Sequence, residues 1–183
     1  HPNIIEPGKI TLVIEELYEA SFRLGKSLLD SKNYIDALEV LEKVKQLEFK
    51  YQIPKTYSTD LFIVQAKAGI LANMLFIGQQ AMNNLDFALA EQQLERALGF
   101  GLANVDLPNL YAIEEYKSNL MDAIIDAGKQ QYKLQNYQSA ISYYDQAQSA
   151  AYKYGIKSKQ SIPLLIKESR IGIVLDDLDR MYY

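Results

Sequence analysis

The chain has no cysteine, no tryptophan and a single histidine at position 1, and its 183 residues include only 9 glycines and 5 prolines. Without thiols there is no disulfide framework, no thiolate nucleophile and no cysteine-held zinc or iron–sulfur cluster. With His1 alone, Ser–His catalysis and histidine-held metals have nothing to build on. The low glycine and proline content, with 49 % apolar and 23 % charged residues, excludes a disordered or fibrous chain. No charge of one sign dominates: 19 Lys and Arg stand against 23 Asp and Glu, leaving −4, which argues against bulk binding to nucleic acid or an anionic membrane. No run of roughly 18 uninterrupted apolar residues occurs, so the sequence predicts no membrane insertion. Its start at His1-Pro2 is read as an excised fragment or as a mature chain whose leader was removed, and the compartment stays open.

What is present is a repeat. A glycine is followed nine residues later by an aromatic, then after three by Ala, after four by a large side chain, and after three by a small apolar one. The copies are Gly25, Tyr34, Ala37, Leu41 and Val44; Gly78, Phe87, Ala90, Leu94 and Ala97; and Gly128, Tyr137, Ala140, Tyr144 and Ala147. Asn33, Asp86 or Asn136 precedes the aromatic, a residue type that starts helices by accepting a hydrogen bond from the next turn. The three- and four-residue apolar steps, as in Ala37, Leu38, Leu41 and Val44, are helical rather than alternating. The reading is all-α with seven helices: first helices at about 9–31, 58–84 and 109–135, second helices at 34–51, 86–99 and 137–154, and a lone helix at 163–181. Residues 1–183 form one repeat domain with units at about 9–53, 58–102 and 109–156. Gly25, Gly78 and Gly128 lie inside helices, where each costs about 1 kcal/mol against Ala, so close packing opposite Ala37, Ala90 and Ala140 is expected. Gly99-Phe100-Gly101 lacks the third glycine, the lysine and the strand of a nucleotide loop, and Gly101 is expected to turn the chain.

At these residues the pattern resembles the tetratricopeptide repeat family, closely over about 23–44, 76–97 and 126–147. The resemblance implies an antiparallel helix-pair solenoid, a right-handed superhelix, in which the first helix of each pair lines a concave groove. The units of about fifty residues exceed the usual 34 or so, and Ser21, Met74 and Ile124 stand where the family has an aromatic. The 163–181 helix, with Asp176, Asp177, Asp179 and Arg180, reads as the solvating cap.

The resemblance implies a non-catalytic protein- or peptide-binding scaffold, without cofactor or metal. Its groove residues are Phe22, Lys26 and Leu29; Leu75, Gln79 and Met82; and Ile125, Lys129, Tyr132 and Lys133. Lys26, Gln79 and Lys129 replace the Asn with which some members hold a C-terminal carboxylate, so that clamp is not expected; the partner instead brings apolar anchors and acidic groups. The alternatives are a self-associating segment of a longer array and a ligand-sensing regulatory domain. Residues 129–159 hold five lysines against one acid, Asp145, among several tyrosines. Nucleic acid is disfavoured there, because Tyr137 and Tyr144 belong to the repeat packing and the lysines sit at its edge. The tyrosines are expected to pack helices with their hydroxyls at the rim. Asp126 spaced three from Lys129 reads as an ion pair rather than a catalytic carboxylate.

Overall fold

The computed structural model describes residues 7–54 and 57–182. Among these the fold is all-helical, without strands: α1 (Pro7–Asp30), α2 (Tyr34–Tyr51), α3 (Thr59–Asn83), α4 (Phe87–Ala103), α5 (Tyr111–Lys133), α6 (Tyr137–Tyr154) and α7 (Ile162–Tyr182). Six of these match the expected bounds to within two residues. The exception is α4, which runs through Gly99-Phe100-Gly101 to Ala103. Gly101 therefore does not turn the chain. It is buried, and a Cβ on it would lie 3.0 Å from Ile113 and 3.1 Å from Leu110; the glycine admits those side chains.

The three turns after α1, α3 and α5 are built alike. Lys32, Leu85 and Gln135 take left-handed backbone with φ of 61°, 59° and 60°. In each turn the amide of the following residue donates to a carbonyl five residues back: Asn33 to Leu28, Asp86 to Ala81, Asn136 to Gln131. The left-handed residue donates three back: Lys32 to Leu29, Leu85 to Met82, Gln135 to Tyr132. This paired arrangement satisfies the last carbonyls of a helix. The spacing of the three left-handed residues equals that of Gly25, Gly78 and Gly128. The expected side-chain caps are only partly realised. Asp86 Oδ1 accepts from the Leu89 amide at 3.1 Å. Asn33 and Asn136 cap nothing, because their amides donate to Asp36 and Gln131 instead.

The chain divides into two compact units, with the boundary inside α3. The first holds α1, α2, α3 through Asn73 and the connection 104–109. Its core is Tyr18, Phe22, Leu41, Val44 and Ile63, with Tyr57 stacked on Phe22 at 4.1 Å between ring centroids. Glu48 is buried and accepts from Tyr18 Oη at 3.2 Å and Thr59 Oγ1 at 2.5 Å. Burying a carboxylate is costly unless donors surround it, and these two both serve Glu48 Oε1.

The second unit holds α3 from Met74, with α4 to α7. In it α5 packs on α4 and α6, and α6 on α7. Ile113, Tyr116, Leu120, Met121, Ile124 and Ile125 of α5 are all buried. The hydroxyl of Tyr116 is not at the rim; buried, it donates to the Ala90 carbonyl at 2.9 Å, as that of Tyr18 does to Glu48.

The repeat glycines receive larger neighbours than expected. A Cβ on Gly25 would lie 2.8 Å from Leu41, and one on Gly128 2.5 Å from the Tyr144 ring, while Gly78 sits under Tyr116. The nearest atoms at the three are those of Leu41 and Val40, of Tyr116 and of Tyr144 rather than of Ala37, Ala90 or Ala140, although those alanines are fully buried. Interiors are close-packed, and a missing Cβ leaves a hollow that a leucine or a ring fills better than a methyl. Two further glycines share this arrangement: Gly69 lies under the Tyr34 ring and Gly172 under the Tyr137 ring, at 2.4 and 2.5 Å from the would-be Cβ.

By length and composition α3 is long and apolar enough to cross a membrane, with a mean hydropathy of 1.7 over its best window, of which 28 % is buried. A count of uninterrupted apolar residues misses this, because Gln65, Lys67 and Asn73 divide the run. Ile63, Ala66, Ile70, Leu71, Ala81 and Met82 of α3 are buried in the fold.

Candidate functional site

The residues expected in the groove fall into two groups. Phe22, Met82 and Ile125 are buried and offer a partner no surface. Phe22 has the Tyr57 ring on one side and the edge of Phe62 on another. A residue on a first helix faces either the groove or a neighbouring helix, and spacing along one helix does not say which. Leu29 is half-buried against the first unit's core.

Lys26 stands exposed on α1, Lys129 and Gln79 are half-buried, and Tyr132 and Lys133 are exposed near the end of α5. Leu75 is half-buried on α3. Lys129 Nζ lies 3.2 Å from Asp126 Oδ1, the expected ion pair, worth only a few tenths of a kcal/mol at such exposure (~0.3–0.5). Tyr132 packs edge-on against Tyr137 at 5.3 Å, which fixes its ring. Gln79 Nε2 donates to Asn83 Oδ1 at 3.3 Å. Lys26, Gln79 and Lys129 each directly follow a repeat glycine, so one long polar side chain recurs per copy, outside the packed centre.

Other polar features are structural. Lys153 of α6 reaches Glu95 and Glu91 of α4. The hydrogen bond from Lys153 holds the Glu95 carboxyl below the usual range and raises the Lys153 ammonium above its own. This lysine is committed within the fold, which reduces the cationic surface counted from sequence. In the first unit, a hollow of about 530 Å³ is lined by Leu12, Glu15, Glu16 and Glu19; Glu19 already accepts from Tyr57 Oη at 3.2 Å and lies 3.7 Å from Arg23.

The terminal helices carry a feature that sequence reading did not bring out. Val13 and Leu17 of α1, and Ile171, Val174, Leu175, Leu178 and Met181 of α7, are exposed. On α7 the acidic residues expected of a cap do stand at solvent, but so does this apolar stripe. The signal lay in the repeat register itself: Tyr34 to Gly69 and Tyr137 to Gly172 are both steps of 35 residues. Comparisons of the chain with known protein families, with curated proteins and with solved structures find no match.

Proposed function

We propose that this chain is a helix-pair repeat of the tetratricopeptide kind, a solenoid of antiparallel pairs acting as a non-catalytic scaffold for a protein or peptide. The architecture is supported by three like turns at one register and by glycines that admit a large side chain from another helix. Stacked pairs bury their apolar faces on one another and leave one helix of each pair toward the binding surface. The observation that carries the functional reading is the recurrence of Lys26, Gln79 and Lys129 after the repeat glycines, polar and outside the core where the flanking positions are filled. Tyr132 and Lys133 stand exposed one turn beyond Lys129 on α5. A peptide with acidic groups and an apolar anchor complements it, the anchor meeting Leu75 and Tyr132.

The test is selection from a displayed peptide library on the whole chain, followed by titration of the enriched peptides. Peptides carrying acidic residues are expected, with binding weakened at least tenfold in Lys26→Glu and in Lys133→Glu while helicity and melting stay unchanged. No enrichment, or enriched peptides indifferent to both changes, would remove the groove from consideration.

A further inference from the structure

Tyr144 occupies the large position of the repeat, where the other two copies have Leu41 and Leu94. A leucine fills the hollow over a helical glycine, as Leu41 does over Gly25, so packing alone does not require a phenol. The ring of Tyr144 crosses from α6 onto α5 with Gly128 beneath it. What the tyrosine adds is a hydroxyl on the far side of that contact.

The fold makes no use of this hydroxyl. Tyr144 is 1 % exposed, yet its oxygen makes no hydrogen bond among the described residues. The oxygen stays open to solvent, unlike the sealed Gln93 Oε1 and Asn109 Oδ1. Two other deeply buried tyrosines engage theirs inside the protein, Tyr18 on Glu48 and Tyr116 on the Ala90 carbonyl. In Tyr144 the oxygen is the tip by which a buried side chain reaches the surface, and it is left with its bonding capacity free.

The surroundings of that tip are acidic. α6 packs on both α5 and α7, and the groups acting on the hydroxyl come from those two helices. Burial pushes it up, and Glu168 of α7, then Tyr132 and Asp126 of α5, push it the same way; no lysine or arginine opposes them. The nearby cations point elsewhere or are held. Lys129 is tied to Asp126 at 3.2 Å, and Lys153 of α6 to Glu95 and Glu91. Lys133 lies a further turn along α5 from Lys129. Lys167 and Arg170 stand exposed on α7, about 100° and 160° around its axis from Glu168. Asp145, next to Tyr144 and exposed, adds to the same sign. An anionic group is turned away from such a place. A guanidinium suits it, because its planar fork can donate to the phenol oxygen and to a carboxylate together.

We propose that Tyr144 Oη, flanked by Asp126 of α5 and Glu168 of α7, is a subsite for the guanidinium of an arginine in the bound peptide. Resting on the scaffold reading above, this gives the peptide one basic residue beside the acidic groups that meet Lys26 and Lys133.

The probe is acetylarginine amide, titrated into the whole chain and followed by the NMR signals of the Tyr132 and Tyr144 rings, with acetylcitrulline amide as its uncharged match. Saturable shifts are expected for the arginine compound alone, with binding at least fivefold weaker in Glu168→Gln and in Tyr144→Phe. Lys26→Glu should leave binding unchanged. The melting temperature of Tyr144→Phe should equal that of the native chain, since the hydroxyl it removes bonds to nothing in the fold. Absence of saturable shifts, equal binding of the citrulline compound, or undiminished binding by either variant overturns the assignment. A lower melting temperature for Tyr144→Phe also overturns it, by giving the hydroxyl a structural partner. Library peptides that depend on Lys26 and Lys133, carry no basic residue and ignore Tyr144→Phe would sink the subsite and leave the scaffold standing. Saturable binding of acetylarginine amide with no enriched peptide would keep the cation subsite and remove the scaffold.

Discussion

The phenolic oxygen of Tyr116 stands over Gly78 so closely that a Cβ on the glycine would lie 2.0 Å from it. The same oxygen donates to the Ala90 carbonyl, so the ring is held from its far end and cannot simply swing away. A helical glycine costs about 1 kcal/mol against alanine, and this contact is what the position gains in return.

Gly78→Ala should therefore destabilise the chain by about 1–3 kcal/mol, the usual range for overpacking, despite alanine's better helix propensity. Tyr116→Phe should cost about 1 kcal/mol through the lost hydrogen bond. The double variant should fall short of the sum by at least ~0.5 kcal/mol, because removing the oxygen clears the nearest obstruction. Urea denaturation of the four proteins decides it; strict additivity would mean that the ring is displaced as a whole.

Leu85 holds a left-handed backbone with φ of 59° and an exposed side chain. That conformation crowds the Cβ of an L residue by roughly 1–2 kcal/mol, and the side chain recovers little through packing. Leu85→Gly should raise stability by about 0.5–1 kcal/mol after the entropy that glycine adds to the unfolded chain. A lower denaturation midpoint than native would show that Leu85 makes a contact worth more than its strain.

Burial pushes the Tyr116 hydroxyl up to about 12 from the ordinary value near 10. The folded form keeps this proton where the unfolded chain has released it. The contribution to stability is thus complete below pH 10 and declines as the pH rises from 10 to 12. Melting temperature should fall across that interval, and more gently in Tyr116→Phe. Parallel profiles for the two proteins would assign the fall to Tyr18, Tyr144 and Tyr154, which burial also raises.

Glu48 depends on Tyr18 and Thr59 for its hydrogen bonds. Thr59→Val keeps the shape and removes one donor, leaving a buried carboxylate underserved, with an expected loss of about 1–3 kcal/mol. In Thr59→Val/Glu48→Gln the loss should shrink, since a neutral amide tolerates burial better. Chemical denaturation at neutral pH measures both, and an unchanged midpoint in Thr59→Val would mean that water replaces the hydroxyl.

The helices were legible because their signals are local. Apolar residues at three- and four-residue steps, and Asn or Asp before an aromatic, mark starts and stops along one stretch of chain. What lay opposite each glycine was not legible, since that depends on the distance between helix axes. Gly25 and Gly128 accept Leu41 and Tyr144 rather than the alanines four residues earlier. Gly99-Phe100-Gly101 was read as a turn from composition alone, while burial of Gly101 against Leu110 and Ile113 keeps it helical. Among the site residues, Phe22 and Ile125 share a helix face with covering neighbours, which spacing from Lys26 and Lys129 could not reveal. Val174 and Leu178 lie on the helix read from its aspartates as a solvating cap, and that they stand exposed beside those aspartates depends on packing that the local pattern does not carry.

The tie from Lys153 to Glu91 and Glu95 joins two helices that both flank α5, and it bears on how the second unit breathes. The buried face of α5 is covered by α4 and α6, and the tie links the motions of those two helices. Local opening then gives way to a larger cooperative one. Hydrogen exchange should then be slowest along Leu120 to Gly128, whose buried side chains fill the unit, and fastest at the exposed last turn of α7.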